Sequence, residues 1–185
     1  MLDIFSKIFN MVFKRGIIPS VWSEGVICTI NKNKGDLGNP ANYRVITILS
    51  CFGKLLTAIL NKRLNNYSEG MNLLCEEQAG FRKNYSTIDH IFNMKCLIDL
   101  YLQRRKPLFC AFIDYKKAFD SINRIALWYK LLNHNIDGNF LKVVHSMYNN
   151  AKSCIRQGTN ISDYFYSNVG VRQGKIYRLS YFLFS

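Results

Sequence analysis

The chain has 185 residues, of which 49% are hydrophobic and 14% aromatic, enough apolar material for a core and too much for a chain disordered along most of its length. Its 25 Lys and Arg against 12 Asp and Glu give a formal net charge of +13, which favours a polyanionic partner such as nucleic acid. No apolar run reaches the length of a membrane span, and six cysteines without a CxxC pair or a histidine at ligand spacing argue against structural zinc and fit a reduced, intracellular protein, nuclear or cytoplasmic.

Leu2, Phe5, Phe9, Val12 and Phe13 fall near helical spacing with Asp3, Lys7, Asn10 and Lys14 between them, predicting an amphipathic helix closed by Gly16. It lacks the basic start and unbroken apolar centre of a signal peptide. Residues 25–32 read as a strand entering a polar turn at 31–40, and 43–49 is a second short apolar stretch. Residues 52–64 have a helical period, with Lys54, Lys62 and Arg63 on the polar side. A loop spans 70–84. Ser86-Thr87-Ile88-Asp89 has capping-box spacing, with Asp where Glu is preferred. The helix it opens carries Ile88, Ile91, Phe92, Ile98, Tyr101 and Leu102 on one face and ends at Arg104-Arg105-Lys106, charges suited to a helix C-terminus.

The apolar run 108–113 reads as a buried strand. A carboxylate at the tip of a buried strand is costly unless something binds it, so Asp114 is placed to hold a hard cation. Two more helices are predicted over 123–133 and 138–149, then a hairpin of 152–157 and 163–169 around Gly158-Thr159-Asn160. Strands mixed with helices and joined by hairpins predict an α+β fold, not a doubly wound sheet. His90, His134 and His145 have no partners at catalytic or ligand spacing. Residues 170–175 read GVRQGK, one residue short of a Walker loop and without its Ser or Thr.

Four blocks stand in order along the chain. The first runs from Gly25-Val26-Ile27 through Asn42-Tyr43-Arg44 to Leu49-Ser50-Cys51-Phe52-Gly53-Lys54. The second is Gln78-Ala79-Gly80-Phe81-Arg82-Lys83 with Ser86-Thr87. The third runs from Phe112-Ile113-Asp114 to Ala118-Phe119-Asp120-Ser121. The fourth is Gly170-Val171-Arg172-Gln173-Gly174. Together they resemble the reverse transcriptase domain of non-LTR (LINE-type) retrotransposons, from about residue 18 onward. The resemblance implies a right-hand polymerase fold: an N-terminal helix at 1–16, a fingers-like region at 17–107 and a partial palm at 108–185, without the second catalytic palm motif and the thumb.

It also implies RNA-directed DNA polymerisation, with an RNA template, a DNA primer, dNTP and two Mg²⁺ ions roughly 3.5–4 Å apart. Asp114 would be the first catalytic, metal-holding carboxylate, and the carbonyl of Tyr115 a further metal contact. Asp120 is expected to support local structure. Phe119 would lie beneath the incoming sugar and exclude a 2′-hydroxyl. Arg44 would grip the triphosphate through bidentate hydrogen bonds, helped by either Lys32 or Lys34. Gln173 would lie near nucleotide and template. Phe81, Arg82, Arg172 and Gly174 would follow the nucleic acid, with glycines letting the backbone approach it.

The chain also departs from the family pattern. It contains no Asp-Asp pair, which in the family completes the metal site, and no endonuclease domain. Val45 stands where Pro or Gly usually follows the arginine. Lys175-Ile176-Tyr177-Arg178 precede Leu179-Ser180, and Tyr181 replaces a proline. The expected protein is therefore a polymerase fragment inactive alone. The alternatives are a non-catalytic nucleic-acid-binding module and a silent transposon relic.

Overall fold

The computed structural model describes residues 2–80, 82, 84–115, 118–149 and 151–171. In chain order the elements are α1 (Leu2–Arg15), a 3-10 turn (Ser20–Ser23), β1 (Glu24–Asn31), a 3-10 turn (Pro40–Asn42), β2 (Tyr43–Leu49), α2 (Cys51–Gly70), α3 (Thr87–Gln103), α4 (Arg124–Asn133), α5 (Gly138–Asn149), β3 (Lys152–Gln157), β4 (Asn160–Ile161) and β5 (Phe165–Tyr166). Helices and strands mix, as expected.

β1 and β2 are rich in Val, Ile and Thr and pair antiparallel from Gly25↔Leu49 to Asn31↔Tyr43. Short polar side chains shape the loop between them. Asp36 accepts from the Gly38 amide at 3.0 Å, Asn39 accepts from the Ala41 amide at 3.0 Å, and Asn42 donates to the Asp36 carbonyl at 2.8 Å. β3 lies parallel to β1, with Val26 opposite Cys154, so the sheet runs β2-β1-β3-β4 and β5 pairs the start of β3. The return arm of the predicted hairpin is split. Arg156 faces Ile161 but Ser153 faces Phe165, so it carries one extra residue, and the Ser162 hydroxyl accepts from the Ile155 amide at 2.9 Å beside that offset.

The core lies among α1, α2, α4 and α5. Val12, Leu56, Leu60, Leu64, Leu127, Leu131, Val143, Val144 and Met147 fall at helical spacing and are buried together. Each such side chain contributes about 1.5–3 kcal/mol of burial. Asn123 caps α4 by accepting from the Ile125 and Ala126 amides. Trp22 stacks on Phe52 at 5.8 Å and Phe9 tilts against it, fastening α1 and α2 around the first 3-10 turn.

The expectation for α3 holds and that for 108–113 is corrected. The capping box of α3 forms, with the Asp89 carboxylate accepting from the Ser86 amide at 2.7 Å. Its apolar face, however, stays uncovered: no residue of α3 is buried. The run 108–113 is neither a strand nor buried, and Phe109 and Phe112 are 90% and 88% exposed. A strand takes its backbone hydrogen bonds from a neighbour, and no described strand lies beside this run. Cys110 Sγ of this run lies 3.9 Å from Met94 Sδ of α3.

Candidate functional site

A cleft of about 990 Å³ opens between the β1–β2 hairpin and the segments carrying Asp114, Asp120 and the 167–171 loop. Among the described residues, its charged lining consists of Lys32, Arg44 and Arg124 against Asp114 and Asp120. Lys32 follows the last residue of β1. Its amide donates to the Asn42 carbonyl at 2.9 Å and its ammonium to the Ala41 carbonyl at 2.8 Å. Arg44 sits on β2 opposite Ile30, exposed. Asp114 and Asp120 are both exposed.

The cleft floor is tied together by backbone. The Gly170 amide donates to the Ile122 carbonyl and the Val171 amide to the Phe119 carbonyl, each at 2.9 Å. Gly170 has φ +78°, and a Cβ there would lie 2.6 Å from the Asp120 carbonyl oxygen. This glycine therefore serves an approach of the chain to itself, where the sequence suggested an approach to nucleic acid. Arg124 donates to the carbonyls of Gly170, Tyr148, Ser167 and Val169 and lies 5.0 Å from the Tyr148 ring centre. Burial pushes its guanidinium below the usual arginine value, and the nearby Tyr148 opposes that shift.

Four expected site residues thus come together: Lys32, Arg44, Asp114 and Tyr115 all line the cleft. Of the two lysines left open by the sequence, Lys32 reaches it, while Lys34 is exposed on the turn and is not among the lining residues. Phe119 is not among them either. It is half-buried and packs against the hydrophobic core, a role an aromatic at that position satisfies equally well. Arg82 serves an internal contact. It donates to both Glu69 oxygens at 3.2 and 2.9 Å and to the Cys75 carbonyl at 2.9 Å, and it covers the Tyr85 ring at 4.1 Å. The hydrogen bond to Glu69 raises its pKa further. Phe81, Arg172, Gln173 and Gly174 lie outside the described residues.

Sequence reasoning missed Arg124. The available signal was a cation at the first position of a helix, where the dipole disfavours it. Among the described residues, no three His, Cys, Asp or Glu side chains are grouped to hold a metal, and no helix is long and apolar enough to cross a membrane.

The family model described as reverse transcriptase (RNA-dependent DNA polymerase) matches residues 30–184. The Pol polyprotein of the type-1 retrotransposable element R2 of Popillia japonica is 30% identical over 148 residues, covering 78% of this chain and 20% of the relative. The "Probable RNA-directed DNA polymerase from transposon X-element" of Drosophila melanogaster is 25% identical over 169 residues, 91% of this chain and 18% of the relative. The RNA-directed DNA polymerase from mobile element jockey, also of Drosophila melanogaster, is 25% identical over 129 residues, 70% of this chain and 14% of the relative. The chain therefore spans a fifth or less of the length of these curated relatives. A match across most of the chain, supported by relatives from non-LTR retrotransposons, establishes that the protein belongs to the reverse transcriptase (RNA-dependent DNA polymerase) family.

Proposed function

We propose that this chain supplies the nucleotide-gripping and first-carboxylate portion of a LINE-type RNA-directed DNA polymerase, and that it does not polymerise alone. In this reading 1–16 is an N-terminal helix, 17–107 the fingers and 108–185 part of the palm. The observation that carries it is the meeting of Lys32 and Arg44, from the β1–β2 hairpin, with Asp114, far along the chain, around one cleft.

Arg44 and Lys32 bind the triphosphate of dNTP, Arg44 through its planar fork and Lys32 as a point charge. Asp114, with the Tyr115 carbonyl, would hold Mg²⁺. An exposed carboxylate in a cleft with oxygen donors fits an ion that keeps several waters and takes one or two carboxylates plus substrate phosphates. Bound there, Mg²⁺ would neutralise the triphosphate and favour attack by the primer 3′-hydroxyl. Gln173 stays near the nucleotide, whereas Phe119, packed against the core, and Lys34, off the cleft lining, are assigned no nucleotide contact. Phe81, Arg172 and Gly174 follow the RNA template and DNA primer, while Arg82 is committed to Glu69 and the Cys75 carbonyl. The absence of an Asp-Asp pair from this sequence leaves the metal site one carboxylate source short, which is why extension is not expected.

The test has two arms. Primer extension with Mg²⁺ and dNTPs should give no template-dependent product, and extension by the purified chain refutes the inactivity. Mg²⁺-dependent dNTP binding should fall in Asp114→Asn while salt-sensitive RNA binding persists. Equal dNTP binding by both proteins refutes the role of Asp114.

A further inference from the structure

Arg124 presents five N–H groups, and each has one acceptor. Nε donates to the Gly170 carbonyl at 2.7 Å. Nη1 donates to the Ser167 carbonyl at 2.6 Å and the Tyr148 carbonyl at 3.2 Å. Nη2 donates to the Val169 carbonyl at 3.3 Å and the Ser167 hydroxyl at 3.4 Å. Four of these acceptors belong to the 167–170 loop. Among the described residues no carboxylate pairs with this guanidinium. A cation placed against the helix dipole and half-buried without a carboxylate partner is retained here by four carbonyls, the Ser167 hydroxyl and the Tyr148 ring.

We propose that Arg124 is a positioning residue, whose planar fork clamps the 167–171 wall of the cleft onto residues 119–122 and so sets the shape of the cleft on that side. With its donors occupied, Arg124 does not bind phosphate itself. It acts through the loop: the Gly170 and Val171 amides reach the Ile122 and Phe119 carbonyls only when the loop is held down. Lysine keeps the charge but has three donors at one point and cannot span these acceptors. The consequence for nucleotide rests on the function proposed above.

The experiment uses the 185-residue chain with Arg124→Lys and Arg124→Gln. Amide exchange is followed at Gly170 and Val171, with Leu131 and Val143 as core references, and Mg²⁺·dATP affinity is measured in parallel. Both variants should exchange about tenfold faster at Gly170 and Val171, the size expected for losing a charge-assisted bond, with the core amides unchanged. Affinity should fall severalfold even in Arg124→Lys. Unchanged exchange at Gly170 and Val171 overturns the clamp. Faster exchange with unchanged affinity in Arg124→Lys leaves only a structural role and overturns the positioning. A wild-type chain that binds no dATP overturns the nucleotide reading and the positioning role together. Should the variants not fold, the wild-type Arg124 Nε–H signal decides. It must be protected from solvent relative to that of Arg104, and equal exchange of the two sinks the clamp.

Discussion

Replacing Gly170 by alanine isolates the junction between the 118–122 segment and the 167–171 loop. The residue sits at φ +78°, a region that costs an L side chain about 1–2 kcal/mol. The added Cβ would also lie 2.6 Å from the Asp120 carbonyl oxygen and 2.9 Å from its carbon and Cα. These are backbone atoms, so the contact cannot be relieved by a side-chain rotation and the loop must move. Movement loses the two 2.9 Å bonds from Gly170 and Val171 to Ile122 and Phe119. At about 1 kcal/mol each, they bring the expected loss to about 3–4 kcal/mol. Gly138 is the control. Its φ is +59°, and nothing lies within 4 Å of a Cβ built there. Gly138→Ala should therefore cost only the conformational part, about 1–2 kcal/mol. Urea unfolding followed by the fluorescence of Trp22 and Trp128 measures both. Equal losses for the two variants would refute the close approach at Gly170.

Arg82→Ala should free the 71–85 loop from α2, speeding chymotryptic cleavage at Tyr85. Because Glu69 is 40% exposed and the pair is screened, global stability should fall by only about 1 kcal/mol. Unchanged cleavage counts against this tether. Phe109→Ser combined with Phe112→Ser should leave unfolding within about 0.5 kcal/mol of the parent and reduce concentration-dependent association in sedimentation. A loss of stability above about 2 kcal/mol would show that the rings are buried after all. Lys152 donates to Glu24 at 3.0 Å across β3 and β1, and that hydrogen bond raises its pKa above the ordinary lysine value. A raised folded-state value means the tie is fully present below the ordinary lysine range and is lost as pH rises through the raised one. An NMR titration should show Lys152 titrating later than in Glu24→Gln, and identical midpoints exclude the pair.

The helices and the first hairpin were legible because their causes are local. Leu127 and Leu131, or Val143, Val144 and Met147, announce buried faces by spacing alone, and Asn and Asp in the 31–42 turn satisfy their own backbone. The parallel pairing of β1 with β3 was not legible, since it joins Val26 to Cys154 across two-thirds of the chain. Lys32, Arg44 and Asp114 were found as a site only because blocks in order resemble a family; nothing in the spacing of two basic residues and one acid places them around one cleft. Phe119 shows the converse limit. A ring beneath a sugar and a ring against a core look alike in sequence, and the core contact is the one observed. Arg124 could be flagged as misplaced at a helix start, but four of its five acceptors belong to a loop more than forty residues away.

The failure at 108–113 bears most directly on function. An apolar run specifies a strand only together with a neighbour, because its amides and carbonyls need partners and its side chains need a surface. Here Phe109, Phe112 and Ile113 remain at least 80% exposed, forgoing about 1.5–3 kcal/mol for each side chain that burial would supply. Asp114 follows this run directly and has an irregular backbone, so its carboxylate is in the cleft without being held there. Lys32, by contrast, is held by its ammonium's bond to the Ala41 carbonyl, and the backbone of Arg44 is fixed by the β1–β2 register. The backbone of the phosphate-gripping side of the cleft is therefore ordered by a strand pairing while that of the metal-holding side is not. Triphosphate affinity should depend little on the order of 108–113, whereas Mg²⁺ affinity at Asp114 should rise with any partner that pairs with that run.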